Sequence, residues 1–444
     1  MVDGYATGVG RHHRGMRRRL LIAAGVLILI LAAGVASAYF VTKHRFGGTK
    51  LGSSSGFVPT EISTQAVPPS TRRAGIVSPM FGVGPEHLHI GVGHVRPPFR
   101  LDWTANGKSL IEFPPAVAFD HLYYATFSGK LKAISTSDGA KLWGIPVGRC
   151  EAAGPAVSPY KGGTVFETFL NRRSGGPCVE DPSNGLILAV GAGPSHLVRW
   201  RRNLGASETS PTVVGGRVYI GTAEGTVYAL RVSDGKTLWS YQVGGPVKGA
   251  IAYDNGKVFF GSYDGHLYAL TAGTGKLLWT ASSSGHFYST PAVAYSRVYA
   301  GSTDHAVYAF DENTGAQVWS YATGSYVYAS PAVWGGRVFI GSYDHVFYAL
   351  DAATGSPEWT FQAAGPISGS AAVVDGVVYF SHIGTPGPRH TYGLDARTGR
   401  KIWTWNDGAF ASVVSDGQRI YLVGWGRIYA FSPRRGHHHR RGRR

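Results

Sequence analysis

Residues 329–361 read ASPAVWGGRVFIGSYDHVFYALDAATGSPEWTF, and the fold can be worked outward from them. Pro331 to Val333 is a short apolar run closed by the pair Gly335-Gly336. Arg337 to Ile340 is a second strand whose side chains alternate between its two faces, and Gly-Ser-Tyr-Asp-His (341–345) then turns the chain. Val346 to Leu350 forms a third run, Asp351-Ala-Ala-Thr354-Gly355 a second turn, and a fourth run carries Trp359. Runs this short, separated by turn residues at roughly 8–12-residue intervals, predict a four-stranded antiparallel meander.

The same grammar recurs along the chain. Its marker tryptophans are Trp103, Trp143, Trp200, Trp239, Trp279, Trp319, Trp359 and Trp403, spaced 40, 57, 39, 40, 40, 40 and 44 residues apart. A four-stranded unit of about 40 residues has two apolar faces and cannot cover them alone, so such units must stack. Radial stacking into a propeller covers every face and protects the edges. The turn Asp-x-x-Thr-Gly recurs at Asp311–Gly315, Asp351–Gly355 and Asp395–Gly399. Its Asp and Thr can bond turn amides, and its glycine takes the positive φ that ends a hairpin. The tryptophan four residues later offers a flat surface to the neighbouring unit.

The chain ends set the number of blades. The last unit, Ala409 to Phe431, has three strands and stops before its tryptophan strand; Phe99 to Thr104 is a tryptophan strand with no three before it. Together they make one blade and close the ring at eight. The expected architecture is therefore all-β, an eight-bladed propeller over residues 99–433. A boundary at residue 98 also implies that a chain lacking residues 1–98 still folds.

Composition agrees: 63 Gly, 24 Tyr and 11 Trp with only 16% charged residues suit tight turns and pleated surfaces, not helices. The net charge of +17 is not a nucleic-acid footprint, because residues 1–45 and 434–444 contribute +6 each and leave +5 for the rest. A basic face on the folded domain is what nucleic acid requires. Cys150 and Cys178, 28 residues apart in the one long repeat, are too few for a disulfide scaffold. They can form one disulfide in an oxidising compartment.

Leu20 to Val41 is a run of 22 uncharged residues, long enough at 1.5 Å per residue for a roughly 30 Å hydrocarbon core. Five arginines precede it, which places residues 1–19 as a basic cytoplasmic stub, residues 20–41 as a single-pass anchor and the propeller outside the cytoplasm. Ala36-Ser37-Ala38 leaves a cleaved signal peptide as the alternative, with the same compartment. Residues 42–98, rich in Gly, Ser and Pro, read as a linker, and residues 434–444 as a basic His/Arg tail. His87, His89 and His94 fall late in the linker, without the acidic or thiolate company that a metal site needs.

The frame Ala-x-Asp-x-x-Thr-Gly-x-x-x-Trp, seen at Ala309–Trp319 and Ala349–Trp359, resembles the pyrroloquinoline-quinone-like repeat of quinoprotein alcohol dehydrogenases. It equally resembles BamB-type assembly proteins. Ala269–Trp279 and Ala229–Trp239 keep the frame with Thr271 and Arg231 in the Asp place. The dehydrogenase resemblance implies adjacent cysteines, a quinone, calcium ligands and a catalytic Asp. Cys150 and Cys178 are not adjacent, and no such ligand set or Asp can be placed. Asp264, Asp304 and Asp344 share one repeat position, which marks turn-formers. The BamB-type resemblance implies a non-catalytic scaffold docking a partner protein, with no cofactor and no catalytic or metal residue.

That scaffold reading is the expectation, with a membrane or envelope protein as partner and a monomeric propeller. A quinone-dependent alcohol or sugar dehydrogenase and a ligand-sensing ectodomain are the alternatives. Loops between blades carry propeller function and break the repeat's uniformity at Glu208, Lys248, His286, Tyr288, Tyr326, Tyr328 and Phe410, the expected binding face. No zinc-protease His-Glu-x-x-His and no Walker phosphate loop occurs.

Overall fold

The structure, a computed structural model, describes residues 75–170, 185–384, 387–408, 410–411 and 413–434. The stub, the apolar segment 20–41, the first part of the linker, Cys178 with its surrounding insertion, and the tail beyond Arg434 lie outside the described residues. Among the described residues no helix is long and apolar enough to cross a membrane.

Eight antiparallel sheets form the ring. In the sixth, Ala332–Trp334, Arg337–Gly341, Val346–Asp351 and Pro357–Gln362 pair in sequence order. The first strands of successive blades neighbour one another and so line the axis; the tryptophan strands lie outermost. The closing blade is the expected composite: Phe99–Asn106 pairs antiparallel with Arg427–Pro433, from Phe99 opposite Pro433 to Asn106 opposite Arg427.

Each tryptophan docks on the blade that follows. The Trp279 indole N–H donates to the Glu312 carbonyl at 3.0 Å, and Trp239 and Trp319 do the same to Ala272 and Ala352 at 2.9 and 3.0 Å. Trp103 reaches Thr136, Trp143 reaches Ala192, Trp200 reaches Val232 and Trp359 reaches Ala396. Trp403 finds no such turn, because the next blade's third and fourth strands come from opposite ends of the chain. It packs edge-on to Phe99 and Phe431 instead.

The expected linker 42–98 is cut back by the structure: from Ile76 to Val92 the chain fills the axial channel. Ile76–Ser78 adds a fifth strand inside the first blade. The segment then circles the inner strands in ring order. Val157 N–H donates to the Pro79 carbonyl, Tyr253 to Pro85, Val293 to Glu86, Val333 to Leu88 and Val373 to His89. The Ser415 hydroxyl donates to the Val92 carbonyl in the eighth blade, and His87 Nε2 lies 3.0 Å from Thr212 Oγ1 in the third. Met80, Phe81, Leu88 and Ile90 are buried. All eight blades thus hold one internal plug. The physical reason for the misreading is that its partners are eight different strands, so no period of 2 can show.

Candidate functional site

Loops running from a fourth strand to the next first strand open on one face, together with the turns between second and third strands. Gly75 accepts from Phe119 N–H in a first-to-second-strand turn, so the chain enters the channel from the opposite face.

Asp264, Asp304 and Asp344 are staples on the open face. Asp344 Oδ2 accepts from Gly324 N–H at 2.7 Å and from the Tyr348 hydroxyl at 2.6 Å, joining an interblade loop to its own blade. Asp304 holds Ser284 N–H and Tyr308, and Asp264 holds Gly244 N–H and Tyr268. Burial pushes the Asp264 carboxyl up, but these donors outweigh it and hold it below the usual range. Repeated and fully engaged, these carboxylates are structural.

The loop residues expected to bind converge. Glu208 and Lys248 form an ion pair at 3.2 Å, and the Lys248 ammonium sits 5.3 Å from the centre of the Tyr263 ring. His286 stacks on Tyr263 at 4.9 Å with 12° between planes. Tyr288 meets Tyr328 edge-on at 5.1 Å; Tyr328 in turn contacts Tyr326 and Tyr343. A crown of aromatic rings therefore spans three blades. Its tip, Tyr326, is 45% exposed. Glu208, Lys248, Tyr288, Tyr328 and Phe410 line one axial mouth, floored by Phe81 of the plug and holding only about 70 Å³. His286, Tyr326 and Tyr328 line an open groove of about 490 Å³ beside it. Burial, then the nearby Glu208 and Glu112, pushes the Tyr288 hydroxyl well up. Tyr263, Tyr343 and Phe81 were not anticipated; only alignment of each turn against its counterparts could have exposed the first two.

A second irregularity lies beneath this face. Glu151 holds the loop position of Val247, Phe287, Val327 and Ile367; Glu167 holds the strand position of Phe260, Ala300, Ile340 and Phe380. In four seams those two positions pack in one hydrophobic cluster: Val247 with Phe260, Phe287 with Ala300, Val327 with Ile340, and Ile367 with Phe380. In the second blade the apolar pair becomes two buried carboxyls. One oxygen of each accepts a backbone N–H, from Ala153 and Thr168; the other, Oε2, has no partner. Burial foremost, with repulsion from Glu112 on Glu151 and from Glu151 on Glu167, pushes both carboxyls well above the glutamate range and favours their neutral forms. The adjacent Cys150 is disulfide-bonded.

Comparison with known proteins agrees with this architecture. The serine/threonine-protein kinase AfsK of Streptomyces griseus is 29% identical over 159 residues, which cover 31% of this chain and 18% of that protein. The chain spans well under two thirds of the length of the curated relatives it matches. The crystal structure of BamB from Moraxella catarrhalis superposes with a TM-score of 0.60 at 20% identity, covering 75% of this chain and 99% of that one. Quinohemoprotein alcohol dehydrogenase from Comamonas testosteroni gives 0.64 at 14% identity, covering 86% and 85%. Both likenesses concern the fold. Residues 127–250, 183–302, 245–329 and 326–440 match the family described as outer membrane protein assembly factor BamB. Those matches run through more than half of the sequence, and the chain belongs to that family of pyrroloquinoline-quinone-like β-propellers.

Proposed function

We propose that this chain is a non-catalytic, membrane-anchored scaffold whose propeller lies outside the cytoplasm and docks a partner protein on its open face. The observation that carries the reading is the crown of Tyr263, His286, Tyr288, Tyr326, Tyr328 and Tyr343, a set of ring contacts made by loop residues that the repeat itself does not require. Tyrosine combines a large rigid contact area with a polar tip, the composition of interface anchors. The disulfide at Cys150 suits an oxidising compartment.

The quinone and calcium that the dehydrogenase resemblance implies do not fit the residues present. The axial mouth holds about 70 Å³, against the several hundred Å³ of ordinary cofactor pockets, and Phe81 fills the space below. Glu208 is committed to Lys248, and no group of three metal-binding side chains occurs among the described residues.

A photocrosslinking residue at Tyr326, in the native host, tests the proposal. It should yield one discrete protein adduct that weakens when Tyr288 and Tyr328 become Ala, while the same probe at Leu101 on the outer rim yields none. Adducts of equal yield at both positions, or alcohol-dependent dye reduction by the purified protein with pyrroloquinoline quinone and calcium, would overturn it.

A further inference from the structure

The seam between the closing strand and the first blade departs from a pattern that six blades share. In six blades the third strand carries a tyrosine opposite a Ser or Thr of the fourth: Tyr228 opposite Ser240, Tyr268 opposite Thr280, Tyr308 opposite Ser320, Tyr348 opposite Thr360, Tyr392 opposite Thr404 and Tyr429 opposite Thr104. Four of these tyrosines also meet an aromatic ring from the preceding blade's fourth strand: Tyr241, Tyr321, Phe361 or Trp405. In the first blade the pair is Lys132 opposite Gly144, and the residue offered by the preceding strand is Ala105. Two rings and a hydroxyl are missing at once. What remains is a groove of about 600 Å³ between the closing strand and the first blade, within the range of small-ligand sites.

The emptied seam is also basic. Lys108, Lys130, Lys132 and Lys141 line it, no carboxylate does, and none of the four makes an ion pair among the described residues. Lys132 donates to the Gly107 carbonyl at 2.7 Å and lies over the Tyr124 ring. Burial, then the charges of Lys130, Lys108 and Lys141, pulls its ammonium down. Four cations gathered without a counter-charge repel one another, and a bound anion would relieve that.

We propose that this groove binds a polyvalent phosphate-class anion, with the four ammonium groups around its charge and Ala105, Ile134 and Ile145 against any apolar portion. Phosphate is favoured over carboxylate because all four cations are lysines. Lysine serves phosphate as a compact point charge, whereas planar carboxylates select the guanidinium fork.

Tripolyphosphate titrated calorimetrically into the full-length chain tests the site. Binding at one anion per chain is expected, weakening steeply with salt. The double variant Lys132→Tyr/Gly144→Thr restores the pair used by six other blades and refills the groove. The triple variant Lys108→Gln/Lys130→Gln/Lys141→Gln keeps the groove and removes charge. Each should raise Kd roughly tenfold or more. If the refilled variant fails to fold, the triple variant alone decides. Unchanged affinity in the folded variants overturns the site, as does a poly-glutamate peptide binding there more tightly than tripolyphosphate, which would make the groove a protein-docking surface. Vesicles containing phosphatidylglycerol separate the sources. Capture lost in the variants supports the site with a lipid headgroup as its ligand, and tripolyphosphate binding without capture supports it with a soluble phosphate.

Discussion

Gly315 shows how tightly one position of the repeat is specified. Its φ is 72°, and a Cβ added there would lie 2.6 Å from Cε3 of Trp279, the indole that docks from the preceding blade. Gly315→Ala should therefore cost about 1–3 kcal/mol, from left-handed strain plus overpacking, read as a lower midpoint in denaturant. Gly273, with open space around it, should tolerate the same change. Such glycines and tryptophans are legible in sequence because every blade needs them. Glu167 is not, since one carboxyl in a strand looks like any exposed polar residue until the alignment of blades shows an apolar core position. Its folded-state proton affinity is raised, so its contribution is most favourable below the ordinary glutamate range and is lost as pH rises toward the folded value. The stability of the parent relative to Glu167→Gln should accordingly decline as pH rises above about 4. Parallel profiles for the two proteins would mean that the buried carboxyl is charged throughout.

Among elements, the plug from Ile76 to Val92 departs furthest from what its sequence suggests. Glycine, proline and absent periodicity mark a linker in most chains. Here the backbone alternates extended and left-handed residues, with φ of 72° at Val83, 54° at His87 and 56° at His89, and its own hydrogen bonds reach seven blades, the third being met by the His87 side chain. No pattern along the segment alone encodes that. His87 and His89 give the plug a pH dependence. Burial pulls His87 from 6.5 to about 4; burial together with repulsion from His87 pulls His89 to about 3. A depressed histidine contributes stability above its unfolded value and loses it as pH falls toward the folded one. The melting temperature should fall progressively below about pH 6.5. His89 lies edge-on to Phe81 at 4.8 Å with Nε2 unpartnered, so His89→Phe should keep the packing and retain more of the neutral-pH stability at about pH 5. An acid response identical to the parent's would assign the effect elsewhere.

For the molecule as a whole, closure was readable because both fragments of the eighth blade carry the repeat's own signature, Trp103 on one side and Ile428 to Phe431 on the other. The second closure, by the plug, was not, and it changes where the domain begins. A chain starting at residue 99 keeps the closing strand but leaves the inner strands of eight blades without their axial partners and uncovers a channel lined by the buried Val157, Val293, Val333 and Val373. A chain starting at residue 75 keeps both. We expect the 75–444 chain to unfold in one cooperative transition and the 99–444 chain to melt far lower, or to aggregate. Trp103→Ala in the longer chain removes a half-buried indole and its bond to Thr136, a loss of about 2–4 kcal/mol with the plug in place. The ordering decides which device holds the ring. If the truncation at residue 99 lowers the melting temperature more than Trp103→Ala does, the axial plug is the stronger closure. Equal melting temperatures for the chains starting at 75 and 99 would mean that the plug occupies the channel without stabilising it, and the propeller would then be held shut by its outer strand alone.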